Sequence, residues 1–181
     1  MLCVNESLNS TNRIDADAVD RIVEGWTRQV PDFDSGPIQV FGRLNRVARL
    51  LDNNLRVFFQ QHGLGIADYD LMAALYRMGP PYQAKPSSIA RSSLLTSAGV
   101  TLRVDRLVDN GMVERLNDLD DRRSVYVRLT PEGAEVVSRV AQLNRERQRR
   151  MLESISLDEA IILEQAFRKL ERSLLRPGWP D

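Results

Sequence analysis

The stretch DLDDRRSVYVRLTPEG, residues 118–133, places three aspartates and two arginines in its first six positions. Six residues of alternating character follow, from Ser124 to Leu129. Alternation with a period of two is typical of a half-buried β-strand, and Thr130-Pro131 is typical of the start of a helix. The stretch therefore predicts a short strand that follows a charged tip and leads directly into a helix.

The residues upstream of this stretch predict two short helices and a first strand. Pro86 opens the helix KPSSIARSSLL, and Thr96 supplies an N-cap for a second helix that Gly111 ends. Residues 112–116 then pair with the strand described above. Two short helices followed by a hairpin describe a winged helix-turn-helix, in which the hairpin is the wing. The predicted fold class is mainly α, a winged helix-turn-helix with a helical dimerisation region.

The remaining sequence predicts further helices on both sides of this module. Their predicted ranges are Ile14 to Gln29, Pro37 to His62, Asp68 to Met78, Thr130 to Met151 and Ser156 to Leu175. The helix that begins at Pro37 carries seven turns of apolar stripe, which is more than a small domain covers by itself, so partner helices are expected. We expect four regions: a loose tail (1–13), an additional helix and a long helix for dimerisation and ligand binding (14–62), the winged module (63–130) and C-terminal dimerisation helices (131–181).

Composition permits DNA binding and excludes little else. The chain has 181 residues and a net charge of zero, but residues 1–40 hold three arginines against seven acids, and residues 41–130 hold thirteen Lys and Arg against nine acids. Cys3 is the single cysteine and His62 the single histidine, so no catalytic or metal-binding cluster and no cofactor is predicted. The start of the chain lacks the pattern of a secretory signal and no apolar run is long enough to cross a bilayer, so a cytoplasmic protein is expected.

Residues 87–133 resemble the winged module of the MarR family of bacterial transcription regulators. The similar features are the G-M-V-E-R entry to the wing, the D-x-R tip and the L-T-x-x-G exit. The resemblance extends over roughly residues 37–175. It implies a homodimer whose first and last helices interlock, with one winged DNA-binding module in each subunit.

A narrower resemblance to the urate-responsive branch of that family covers the additional N-terminal helix. In that branch a tryptophan, an aspartate and two arginines form the ligand pocket, and the matching positions here are Trp26, Asp70, Arg103 and Arg115. The residues alone leave a second interpretation open, in which an ion pair between Asp70 and Arg103 or Arg115 fixes the winged module to the helical body. A different phenolic or carboxylate effector, or no effector, also remains open.

The second helix of the pair is predicted to enter the DNA major groove. Its periodicity places Val100, Val104, Leu107 and Val108 on one apolar face and leaves a small, mostly uncharged surface on the opposite side. The expected DNA contacts come from the hydroxyls of Thr96, Ser97 and Thr101, from Arg106 on phosphate, and from Arg122 and Arg123 of the wing.

The wing tip is predicted to carry an ion pair between two residues that are two positions apart in the sequence. The resemblance implies that Asp121 orients Arg123 for insertion into the minor groove, which is favourable where an A·T-rich groove is narrow. We therefore expect a repressor that binds a pseudo-palindromic operator in double-stranded DNA, with half-sites about 10–10.5 bp apart. A winged helix used for protein contacts is the alternative, and an enzyme is not expected.

Overall fold

The computed structural model of the chain describes residues 16–93, 95–117 and 125–176. It divides the chain into two compact units, residues 1–66 and residues 67–181. The described part of the first unit holds two helices, α1 (Ala18–Gln29) and α2 (Gly36–Gln61). Because Gly63 adopts a φ of +73°, the chain turns sharply at the end of α2, as the sequence predicted.

The start of α1 was predicted too early, at Ile14. Asp17 has an extended backbone and its carboxylate accepts hydrogen bonds from the backbone N–H groups of Val19 and Asp20, while Asp20 accepts from the Asp17 N–H in return. This reciprocal capping box satisfies amide groups that a helix leaves unpaired at its first turn. The helix therefore begins at Ala18, and Ile14 lies outside the described residues.

Helix α1 is attached to α2 by one close contact and one cluster of ion pairs. Gly42 lies so near Val19 that an added Cβ would be 3.0 Å from a Val19 methyl group. Arg43 places Nε 3.4 Å from Asp17 and Nη2 2.5 Å from Asp20. The pKa of Asp20 is lowered, first by the hydrogen bond from the Asp17 backbone and second by the one from Arg43. The carboxylates that cap α1 thus also bind it to its neighbour.

The second unit contains the remaining elements. They are α3 (Ile66–Arg77), which begins at the last residue of the first unit, β1 (Gln83–Ala84), α4 (Pro86–Ser92), α5 (Ser97–Asp109), β2 (Val113–Asn117), β3 (Val125–Leu129), α6 (Pro131–Met151) and α7 (Leu157–Leu174). The predicted helices and the hairpin are all present, with ends displaced by a few residues. A capping box between Ser156 and Glu159 begins α7, as its S-x-x-E spacing predicted.

The hairpin belongs to a three-stranded antiparallel sheet with the order β1-β3-β2. The sequence did not predict β1, because a strand of two residues has no periodicity to detect. Its Ala84 pairs with Val127 of the central strand. The winged module therefore has a sheet of three strands, and the wing is the part formed by β2 and β3.

The core of the second unit is formed by apolar side chains of most of its elements, while α7 contributes no buried residue. Fully or almost fully buried are Leu71, Leu75, Ile89, Val100, Val104, Leu107, Val113, Val127, Val137 and Val140. They come from α3, α4, α5, the sheet and α6, so burial of apolar surface joins the helix pair to the wing.

The exit from the wing depends on one threonine and one glycine. Thr130 Oγ1 donates to the carbonyls of Gly111 (2.8 Å) and Met112 (3.2 Å) and accepts from the Gly133 N–H (3.0 Å). A Cβ at Gly133 would lie 2.0 Å from the Met112 carbonyl oxygen. The L-T-x-x-G pattern therefore has a structural reason, which is that α6 begins in direct contact with the backbone of the wing entry.

Long apolar faces of α2 and α7 are exposed. On α2 they include Val40, Phe41, Val47, Leu50 and Val57, and on α7 they include Ile161, Ile162, Leu163, Phe167 and Leu174. An open apolar groove also runs along α7. Exposed apolar patches of this extent are typical of interaction surfaces. Of the helices in the described ranges, none is both long and apolar enough to span a lipid bilayer.

Candidate DNA-binding interface and ligand-binding residues

Helix α5, the predicted recognition helix, has a capped N-terminus and a glycine after its C-terminus. The extended backbone of Thr96 forms the N-cap, and its Oγ1 accepts a hydrogen bond of 3.1 Å from the Gly99 N–H. At the other end Gly111 has a φ of +71°, a conformation that glycine adopts without strain. Val100, Val104 and Leu107 are buried, as predicted for the inner face of the helix, and Val108, the fourth residue predicted for that face, is half-buried at its edge.

The opposite face of α5 is open to solvent. Thr96, Ala98 and Thr101 are exposed, and Leu102 is 65% exposed. The side chain of Ser97 lies outside the described residues. The exposed surface is small and carries hydroxyl and methyl groups, so it allows close approach to base edges and phosphates.

Arg106, which was predicted to contact phosphate from this face, also contacts an acid of α3. Its Nε lies 3.6 Å from Oδ2 of Asp68, although its side chain remains 53% exposed. Arg103, one turn earlier, places Nη1 3.6 Å from Oδ1 of the same aspartate. Both arginines of α5 therefore converge on one carboxylate of α3.

The acid that receives these arginines is Asp68, which is 2% exposed, and not Asp70, which is half-buried. The Asp–Arg strut suggested by the sequence is present, but with a different acid. At 3.6 residues per turn Asp68 and Asp70 point about 200° apart, so only one of them can face the core. Asp68 lies at helical spacing from Leu71, Met72 and Leu75, all of them buried, so the periodicity of the sequence indicates that Asp68 faces the core.

Arg115 of β2 pairs with Asp105 of α5, and both side chains are about half exposed. The neighbouring Glu114 lies directly opposite Arg128 on β3 and accepts a hydrogen bond of 2.9 Å from its Nε. Both arginines predicted to bind ligand are thus paired with a carboxylate, Arg103 with Asp68 of α3 and Arg115 with Asp105 of α5. The role of Asp105 was not predicted.

Trp26, the fourth residue predicted to bind ligand, lies on α1 and is 48% exposed. Its indole stacks on Phe33 with ring centroids 5.1 Å apart and an interplanar angle of 13°. Stacking of this kind fixes the orientation of the indole ring and adds about 0.5–1.5 kcal/mol to simple burial. Phe33, in the turn between α1 and α2, was not singled out in the sequence.

The predicted wing contacts Asp121, Arg122 and Arg123 lie outside the described residues, and so do Cys3 and Trp179. In the sequence, residues 118–124 lie between β2 and β3. His62 ends α2, where its ring packs edge-on against Phe58. Within the described ranges, no group of three or more His, Cys, Asp or Glu side chains is placed to hold a metal ion.

Comparison with known proteins indicates the family to which the chain belongs. The family model described as MarR matches residues 64–125, which include α3, the helix pair and the start of the wing. The HTH-type transcriptional regulator PecS of Dickeya dadantii is 34% identical over 157 residues, which cover 87% of this chain and 95% of that protein. Such relatives are transcription regulators and not enzymes.

Solved structures agree with this assignment. Sco3205 of Streptomyces coelicolor, a MarR family regulator solved in complex with DNA, is similar with a TM-score of 0.71 and 23% identity over 80% of this chain and 91% of that one. The organohalide-sensing regulator RdhR, solved with bound 2,4-dichlorophenol, has a TM-score of 0.69 and 16% identity over 79% of this chain and 83% of that one. These two likenesses establish the winged-helix fold, and with the PecS match they lead to one conclusion: this chain belongs to the MarR family.

Proposed function

We propose that the protein is a sequence-specific DNA-binding transcription regulator, a repressor that acts in the cytoplasm and leaves its operator when a small planar anion binds. The observation that carries the proposal is helix α5, whose apolar face is buried in the winged module while its capped N-terminal end and its hydroxyl-bearing face are exposed. A recognition helix meets the major groove with these parts. The membership of the MarR family supports the same role.

The working form is proposed to be a homodimer. The apolar faces of α2 and α7 expose residues such as Phe41, Leu50, Ile162 and Phe167, and a second copy of the chain can cover them. A two-fold symmetric dimer binds a pseudo-palindromic operator with half-sites about 10–10.5 bp apart. Arg122 and Arg123 of each wing then reach the flanking minor groove and backbone.

The proposed effector is a planar anion, and urate is the favoured compound. The guanidinium groups of Arg103 and Arg115 are partly exposed and can form bidentate hydrogen bonds with such an anion. Trp26 presents a half-exposed indole that is backed by Phe33 and suited to stacking. The distant structural neighbour RdhR was solved with a planar phenol, which supports a small aromatic ligand in this fold.

Release of DNA follows from competition between charges. The bound anion draws Arg103 from Asp68 and Arg115 from Asp105. Asp70, the acid predicted for the ligand site, is kept as a member of it in this proposal. Because Arg103 and Asp105 both belong to α5, the recognition helix changes position. A coupling of about 1–3 kcal/mol lowers operator affinity roughly 5–150-fold.

The proposal is tested by a mobility-shift titration on the DNA immediately upstream of the gene for this protein, at several salt concentrations and with or without urate. Tight binding that weakens steeply with salt and is released by urate is the expected result. Salicylate, a phenolic carboxylate, serves as a second ligand, and release by salicylate alone replaces urate with that class of effector. If no duplex binds in a salt-dependent manner, the winged helix is instead used for protein contacts.

A further inference from the structure

Asp68 forms a buried ionic junction beneath the recognition helix. It is 2% exposed, and each of its two oxygens lies 3.6 Å from a different arginine of α5. Arg103 and Arg106 are three residues apart and occupy the same side of that helix. The junction therefore joins α3 to α5 at two points. A single ion pair would leave α5 free to rotate about that one contact, whereas two ion pairs restrict the rotation.

The location of the junction stabilises its charges. Asp68 lies in the first turn of α3 and Arg106 in the last turn of α5. A helix favours negative charge near its N-terminus and positive charge near its C-terminus. The two arginines also offset the cost of removing the carboxylate from water.

The Arg106 side of the junction lies in the last turn of α5, far from the N-terminal hydroxyls that are proposed to meet base edges. Thr96, at the N-cap, is ten residues before Arg106 in the sequence. At about 1.5 Å per residue this separation is roughly 15 Å, so a rotation of about 10° at the junction moves the N-terminal end by about 2.5 Å. Hydrogen bonds to base edges do not survive such a displacement, whereas contacts of flexible cationic side chains with phosphate do.

From this geometry we infer that Asp68 is a positioning residue for operator recognition, which sets the angle of α5 in the major groove through Arg103 and Arg106. The inference rests on the proposed function, because it assigns a residue to DNA recognition. It does not depend on which effector binds. Asp68 lies beneath the helix and acts through the two arginines.

The test measures the ratio of the affinities for operator DNA and for a scrambled duplex of equal length, with the full-length protein and without effector. Asp68→Asn removes the junction and one negative charge. Asp109→Asn removes one negative charge from the exposed last residue of α5 and serves as the charge-matched control. Urea unfolding and circular dichroism of each variant establish that it is folded.

Loss of positioning and a change in charge give different results. With Asp68→Asn the operator-to-scrambled ratio is expected to fall about tenfold, within the range of typical coupling between sites, while affinity for scrambled DNA is unchanged or higher. With Asp109→Asn the ratio stays within about twofold of the wild-type value. If folded Asp68→Asn keeps the wild-type ratio, or loses affinity for both duplexes equally, the inference is wrong.

A second variant applies if Asp68→Asn does not fold. Arg106→Gln removes one arginine from a half-exposed position and leaves the pair between Asp68 and Arg103 in place. Positioning predicts a lower operator-to-scrambled ratio for this variant, whereas loss of a phosphate contact alone weakens both complexes equally and contradicts the inference. If the wild-type protein binds no duplex DNA, the proposed function fails first and the inference fails with it.

Discussion

Gly133 is the position where one added methyl group is expected to do the most damage to the winged module. In Gly133→Ala the new Cβ would lie 2.0 Å from the carbonyl oxygen of Met112 and 2.9 Å from its carbonyl carbon. Nonbonded contacts of a Cβ are essentially never shorter than 3.0 Å, so the start of α6 or the entry to β2 has to move by at least about 1 Å. Both are backbone, and neither can yield by a rotamer change.

The cost follows from what this movement breaks. The Met112 carbonyl accepts hydrogen bonds from the N–H (3.1 Å) and the hydroxyl (3.2 Å) of Thr130. Overpacking costs about 1–3 kcal/mol, and each weakened hydrogen bond about 0.5–1.5 kcal/mol. The greater helix propensity of alanine offsets at most about 1 kcal/mol. We expect the free energy of unfolding of Gly133→Ala to fall by about 3 kcal/mol.

Urea unfolding followed by circular dichroism at one fixed protein concentration measures this change. With a slope of about 2–3 kcal/mol/M, the midpoint should fall by about 1 M. Gly25→Ala is the matched control, because Gly25 lies on α1 with no atom within 4 Å of an added Cβ. That variant should be unchanged or more stable, by up to about 1 kcal/mol. If the midpoint of Gly133→Ala equals that of Gly25→Ala, the contact with Met112 does not constrain the fold.

Three further predictions concern the cap of α5, the attachment of α1 and the ligand. Thr96→Ala removes the acceptor for the Gly99 N–H and should lower the free energy of unfolding, measured with urea, by about 1 kcal/mol. Thr96→Ser keeps the hydroxyl, so an equal loss of stability in both variants would refute the capping role. The carboxyl pKa of Asp20 is lowered in the folded state, so its stabilising contribution is present above its ordinary value of about 4 and is lost as the pH falls through the lowered pKa. In a Trp179→Phe background, the fluorescence of Trp26 should report this loss of stability at acid pH. Asp20→Asn should not show it, and if the variant does show it, the change belongs to another group. Trp26→Ala should raise the urate concentration that releases operator DNA about tenfold in mobility-shift titrations, and an unchanged concentration would remove the indole from the ligand site.

The amino-acid sequence by itself determined the features that depend on a few neighbouring residues. Thr96 and Ser156 cap helices, Gly63 and Gly111 end them, and the spacing of Val100, Val104 and Leu107 sets the buried face of α5. Caps, turns and amphipathic faces are decided within one or two turns of chain, so a local pattern is sufficient to predict them. The charged stretch before β3 and the helix pair were enough to predict a winged helix-turn-helix.

Only the tertiary structure decided which distant groups meet. The two-residue strand β1 exists because β3 offers it backbone partners, and its own residues carry no strand pattern. The choice of Asp68 over Asp70 as the partner of Arg103 and Arg106 depends on how α3 packs against α5. Ion pairs of this kind form between residues far apart in sequence, where a rotation of one helix by about half a turn exchanges one acid for another. Packing of the apolar core sets that rotation, and so it determines which carboxylate holds the recognition helix.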